Sequence, residues 1–375
     1  MQKTFARLCL SAESGRYDNS LFTCQMCMLN RSQALTEVVL FSHVSFFDPD
    51  VLLMFERRLR ESSMLCNQSN NVGHLVQILY TEDLGTGGET IADDPDIIEA
   101  ISSILLHTDC LRELTLMNIT ITRSQLTTLS RSCSTTLISL YIQIDPSADG
   151  VFPILNSLRN LKELGIEVNA GTWEHAIDYP LNVPTVIDAC WCMAFPYQDD
   201  RLRFLSRCTF AAGCSLELVI HELTPESVPI ISPLFNRNMY RRLNLSLPQE
   251  SLSVLLPDIR EVPRLSFCMY MPPLSMLDMV SEVEEITFET PLARKGQRYE
   301  TDFWNFLTQL SHGDPLPKGK STTVKIGYEQ QSEFDWMSGS PDSKMLVEQL
   351  KPLATALLKR GIVVVDKAGC DVSTA

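Results

Sequence analysis

Cys24 and Cys27 stand in a CxxC spacing, which suits a dithiol redox centre or half of a tetrahedral zinc site. Completing that zinc site takes a second CxxC or a close His pair; neither follows, and the nearest histidine is His43. The two thiols therefore read as buried strand cysteines, with a Cys-based redox or metal enzyme as the remote alternative. Cys190 and Cys192 flank Trp191. Side chains alternate along a strand, so these thiols cannot join the indole on one face, and ordinary strand packing is expected. Gly85, Gly87 and Gly88 imitate a phosphate loop, but its lysine is missing and the carboxylates of Glu82, Asp83 and Glu89 would repel phosphate. The histidines His43, His74, His107, His175, His221 and His312 fall into no HExxH spacing, and no GxSxG elbow occurs. No catalytic residue, metal ligand or cofactor is expected.

What does recur is an apolar signature, and it defines the elements that would position any site. CLRELTLMN places Leu111, Leu114 and Leu116 in the pattern LxxLxL; LISLYIQI repeats it with Leu137, Leu140 and Ile142, and LKELGIEV with Leu161, Leu164 and Ile166. The first position then falls at Val186, Gly213, Tyr240, Val262, Val283 and Ser321, at intervals of 21 to 27 residues except the last, which is 38. The sixth position is apolar throughout: Leu116, Ile142, Ile166, Trp191, Leu218, Leu245, Phe267, Phe288 and Ile326. Upstream the signature is wider spaced, at Phe5/Leu8/Leu10, Leu35/Val38/Leu40 and Leu75/Ile78/Tyr80, and Ile362 to Val365 reads as the last strand.

Helices are predicted between these strands. Thr122 and Gln125 form a capping-box pattern, in which hydroxyl and amide each satisfy an orphan backbone N–H. Asp94 before Pro95 is an N-cap followed by proline at the first helical position, with Ile97, Ile98, Ile101 and Leu105 on one face. Ser340 and Pro341 repeat that start, and the last helix runs toward Gly361 with Lys359 and Arg360 in its final turn and a kink expected at Pro352. A strand and a helix in each short unit cannot bury their apolar faces alone, so the units must stack. The expectation is a single α/β leucine-rich-repeat solenoid over 1–375, a horseshoe with a parallel concave sheet and convex helices. Its parts would be wide-spaced repeats over 1–110, regular repeats over 111–290, and C-terminal repeats with a capping helix over 291–375.

From Cys110 onward, CLRELTLMNITITRSQLTTLSRSCSTTLISLYI resembles the cysteine-containing leucine-rich repeat, roughly CxxLxxLxLxxCxxITxxxLxxLxxxCxxLxxL. Leu114, Leu116, Ile121, Thr122, Leu126, Leu129, Cys133 and Leu137 occupy matching places, with Asn118 or Ile119 where the second Cys often stands. Such repeats are typical of the substrate-binding half of F-box proteins, and the irregular units elsewhere look like fungal F-box/LRR-like proteins. The resemblance implies a protein-binding scaffold, the substrate-recognition part of a ubiquitin-ligase adaptor. An F-box start of LPxE(I/L)L type is not found, so a Skp-type adaptor is expected to bind only through an F-box upstream of Met1 or on another subunit. The alternative is a free-standing LRR interaction protein.

Residues flanking the buried leucines would face the concave surface. There Glu163, Glu167, Asp188 and Glu217 form an acidic cluster beside a basic pair, Arg242 and Arg264, with Tyr141 at the edge, a mixture able to orient a protein ligand. The loop from Glu82 to Asp96, with six carboxylates and no Lys or Arg, is a second candidate.

The charge balance agrees: 31 Lys and Arg against 46 Asp and Glu give a net charge of -15, which disfavours nucleic acid and anionic membrane and favours a basic or neutral protein. No apolar stretch is long enough to span a bilayer, and the first residues lack the apolar run of a signal peptide. Twelve cysteines in such a chain read as reduced, and the expected location is cytoplasmic or nuclear.

Overall fold

A computed structural model of the chain describes residues 41–65, 72–81, 94–144, 150–168, 180–193, 199–259, 262–268, 271–272, 283–290, 300–312, 321–326, 341–365, 369 and 371–374. Its contacts divide the protein into two compact units, Met1–Ile142 and Gln143–Ala375. Cys24, Cys27, the strands expected at 5–10 and 35–40, and the acidic loop up to Asp93 lie outside the described residues.

In the first unit strands and helices alternate as β1 (His43–Phe46), α1 (Pro49–Leu65), β2 (Ile78–Thr81), α2 (Pro95–His107), β3 (Glu113–Ile121) and α3 (Arg123–Cys133). The boundary between the units falls within β4 (Ser139–Ile144). Local chemistry sets the helix starts. The Asp94 carboxylate accepts from the Asp96 N–H at 2.9 Å, with Pro95 beginning the helix. In the capping box the Gln125 N–H donates to Thr122 Oγ1 at 3.2 Å and the Thr122 N–H donates to Gln125 Oε1 at 2.8 Å. Gln125 does more than cap. Its buried amide also donates to the Ile98 carbonyl at 2.9 Å and to Ser102 Oγ at 3.0 Å, tying α3 to α2.

Leu114 and Leu116 are buried on β3, and beyond them the buried positions resume at Ile119 and Ile121 because Asn118 interrupts the alternation with a left-handed φ of 57°. Asn tolerates that conformation better than most residues. Ile119, not Asn118, thus fills the interior place.

The second unit contains β5 (Glu163–Val168), β7 (Asp188–Met193), β9 (Cys214–Ile220), β10 (Tyr240–Ser246), β11 (Arg264–Cys268), β12 (Glu285–Thr290), β13 (Ser321–Ile326) and β14 (Ile362–Val365). Short strands β6 (Asn182–Val183) and β8 (Thr209–Phe210) form a separate parallel pair. The helices of this unit are α4 (Val151–Leu155), α5 (Asp199–Leu205), α6 (Val228–Arg237), α7 (Gln249–Leu255), α8 (Glu300–His312) and α9 (Pro341–Leu358). Helix α9 continues through Pro352. Gly361, at φ 78°, supplies the left-handed residue between its end and β14. The last described residues turn back on the sheet: Asp371 makes an antiparallel bridge to Val365, and its carboxylate accepts from the N–H and hydroxyl of Ser373.

Among the described residues the chain is α/β, with parallel strands hydrogen-bonded in the order β1-β2-β3 in the first unit and β5-β7-β9-β10-β11-β12-β13-β14 in the second. In the second unit the aligned interior row runs Leu164, Ala189, Leu216, Leu243, Leu265 and Ile286, and the next row runs Ile166, Trp191, Leu218, Leu245, Phe267 and Phe288, all buried. Aromatic contacts fill the space around them: Phe267 stacks on Phe288 at 5.8 Å, and Phe204 meets Phe152 at 4.2 Å and Trp191 at 5.8 Å.

Three registers differ from the sequence reading. Leu79 aligns with Leu114 and Thr81 with Leu116, so the interior residues of β2 are Leu79 and Thr81 rather than Ile78 and Tyr80. A one-residue slip exchanges faces. Thr81 is tolerated inside because its hydroxyl donates to the Thr115 carbonyl at 3.4 Å and accepts the Met117 N–H at 3.2 Å. On β13, Thr322 aligns with Ile286 and Val324 with Phe288, a shift of two residues that preserves the face. Strand β1, whose Phe46 aligns with Thr81, falls at a place the apolar signature had not marked.

Candidate functional site

Along β5 to β12 the side chains not directed into the interior form cross-strand rows. One row runs Glu163, Asp188, Ser215, Arg242, Arg264 and Glu285; the next runs Gly165, Cys190, Glu217, Asn244, Ser266 and Thr287. The third begins with Glu167, Cys192 and Val219 and continues, on later strands, with Cys268, Glu289 and Lys325. Parallel strands lie about 4.8 Å apart, so neighbours in a row are in direct electrostatic range. The second unit thereby brings Glu163, Glu167, Asp188, Glu217, Arg242 and Arg264 onto one polar face. Tyr141 lies on β4 in the first unit, half-buried, on the face alternate to Leu140 and Ile142.

The guanidinium groups are committed within that face. Arg242 spans two strands, donating to Ser266 Oγ at 3.2 Å on β11 and to Glu289 Oε1 at 3.0 Å on β12. Its side chain lies over Ser266, which is buried along with Glu289. Arg264 pairs with Glu285 at 3.1 Å, both partly exposed. A residue overlooked in the sequence, Arg241, donates to Ser215 Oγ at 3.1 Å and stands 3.7 Å from Asp188. The basic pair read from the sequence is thus a pair of Arg–Glu bridges. Glu285 and Glu289 were visible in the same rows but only the pairing of β10, β11 and β12 reveals their partners.

Burial also grades along the face. Glu163 and Arg264 are exposed, Glu167, Asp188, Glu217 and Arg242 are half-buried, and Ser246, Ser266, Cys268 and Glu289 are buried. Burial pushes the Glu167 carboxyl above its ordinary range. At the buried end the Cys268 thiol donates to Asn244 Oδ1 at 2.8 Å. Burial, and then the negative charges of Glu289 and Glu217, push this thiol far above the ordinary range, so it is a hydrogen-bonding core group and not a nucleophile. Cys190 and Cys192 are half-buried on the face opposite Trp191, and Cys133, Cys208 and Cys214 are buried.

No protein family and no curated protein matches this chain. Among solved structures, it is similar to the crystal structure of the Rad7 and Elc1 complex in yeast, at 14% identity, covering 70% of this chain and 81% of that chain, with a TM-score of 0.27. No helix among the described residues is long and apolar enough to cross a membrane.

Proposed function

We propose that the protein is a leucine-rich-repeat solenoid that binds a protein partner through the polar face of β5–β12 and has no catalytic centre of its own. The observation that carries this reading is the division of labour on that face. Arg242 and Arg264 are engaged by Glu289 and Glu285 and Arg241 stands by Asp188, so on these strands the carboxylates Glu163, Glu167, Asp188, Glu217, Glu285 and Glu289 outnumber the three arginines. Such a surface favours a basic protein segment, with the charges setting register and association rate. The net charge of -15 acts in the same direction at long range. The resemblance to F-box/LRR-like sequences gives the reading its sharper form, substrate recognition within a ubiquitin-ligase adaptor in the cytoplasm or nucleus.

The test is affinity capture from cells with the wild-type chain and with a Glu163→Lys, Asp188→Lys variant, compared by quantitative mass spectrometry. Partners that depend on the acidic face are expected to be lost from the variant while circular dichroism stays the same. Recovery of a Skp-type adaptor and a cullin supports the ligase form. Face-dependent partners without them favour a plain interaction scaffold, and identical partner sets for both proteins overturn the assignment of the face.

A further inference from the structure

Outside the proposed face, the first unit assembles a different kind of site. His74 lies four residues before Ile78 of β2, and Asp109 lies four residues before Glu113 of β3; Ile78 and Glu113 are register partners. The two side chains therefore occupy equivalent places on neighbouring strand entries, and His74 Nδ1 meets Asp109 Oδ1 at 2.5 Å. Cys110 follows directly. One donor atom from each of His74, Asp109 and Cys110 lies within 4.8 Å of the other two. The His74 and Asp109 side chains are 39% and 47% exposed, and Cys110 is exposed, so an ion has a path from solvent.

These three residue types suit either a thiolate nucleophile with an imidazole base or a metal ion. The hydrogen bonding separates the two. His74 Nδ1 is engaged with Asp109 Oδ1 and not with the Cys110 thiol, so the imidazole is not set as that thiol's base. The three donor atoms instead stand close enough together, and open enough to solvent, to share one ion. Cys133 is buried and donates to the Thr108 carbonyl at 3.0 Å, so it does not serve as a fourth donor.

We propose that His74, Asp109 and Cys110 form a three-donor site for a zinc-class divalent ion, with imidazole, carboxylate and thiolate as ligands and a fourth position open to water or a partner's side chain. The chemistry fits a borderline-soft ion: thiolate and imidazole select zinc over magnesium or calcium, which prefer oxygen. Tetrahedral donors around zinc lie about 3.3 to 3.6 Å apart, so the His74–Asp109 pair opens by roughly 1 Å. On binding, Cys110 Sγ gives its proton to solvent and the proton between His74 and Asp109 is displaced to Nε2 or to solvent. One carboxylate and one thiolate then balance the two charges of the ion.

The experiment is site-resolved alkylation of Cys110 by iodoacetamide in the metal-stripped full chain, read by mass spectrometry with zinc chloride or magnesium chloride added. Zinc is expected to slow labelling at least about 10-fold and magnesium to leave it unchanged. The zinc concentration needed for protection should rise at least about 10-fold in His74→Ala and in Asp109→Asn, since losing a ligand costs no less than losing an outer-shell partner. Should His74→Ala unfold by circular dichroism, His74→Gln replaces it. Cobalt should give a thiolate-to-metal charge-transfer band that disappears in Cys110→Ser. Absence of zinc protection in the wild type, or protection that survives both ligand substitutions, overturns the site.

Discussion

Removing the guanidinium of Arg242 strands the carboxylate of Glu289, which has little solvent of its own at 6% side-chain exposure against 44% for the arginine. Arg242→Ala is therefore expected to destabilise by about 1 to 3 kcal/mol, the cost of leaving a buried polar group unsatisfied. Glu289→Gln should cost less, because the neutral amide oxygen can still accept from Arg242, and urea denaturation of the two variants measures the difference. Glu167 carries a pH signature. Its folded carboxyl titrates above the unfolded value of about 4.3, so as pH rises the unfolded chain releases this proton first and the folded state loses stability until pH passes the folded value. Glu167→Gln should raise the denaturation midpoint at pH 7 and have no such effect below about pH 3, where the carboxyl is protonated in folded and unfolded chains alike. Little of this was legible in the sequence. The residue types and their rows could be read from alternation, but the Arg242–Glu289 bridge spans 47 positions and depends on which strands lie two apart.

Helix starts were the most readable elements, because Asp94–Pro95 and Thr122/Gln125 are chemically complete within four residues. The same Gln125 also shows where local reading stops, since its bonds to Ile98 and Ser102 belong to a neighbouring helix. Gln125→Ala is expected to cost about 1 to 3 kcal/mol, more than a cap alone, because it also removes both donations that tie α3 to α2, although Ser102 Oγ keeps its own bond to the Ile98 carbonyl. Gln125→Glu restores the acceptor for the Thr122 N–H but not the donor to α2, so thermal melts of the two variants separate the cap from the tether. The misread strand β2 has an equally specific cause. Leu75, Ile78 and Tyr80 satisfy the apolar pattern one residue out of place, while the true interior row contains Thr81, whose polarity hid the register. On β13 the long interval before Ser321 allowed a two-residue error that the period of a strand conceals.

Across the molecule, the regular succession of interior leucines was legible because parallel strands place the same pattern position in one row, from Leu164 to Leu265. The proposed solenoid makes each unit depend on its neighbours. Leu164→Ala should accordingly cost roughly 2 to 5 kcal/mol and raise amide exchange in β7 as well as in β5; faster exchange confined to β5 would count against that dependence. The far end of the sheet has its own consequence. Among the described strands β14 is last in the hydrogen-bonded order, and an edge strand is a template on which another chain can add itself. A single antiparallel bridge from Asp371 occupies the backbone of Val365, and Val372 beside it, at the start of a short 3-10 turn, is buried. Those few residues are expected to act as a stopper against polymerisation: a chain cut before Asp371 should scatter light and lengthen into assemblies at concentrations where the intact protein stays dispersed.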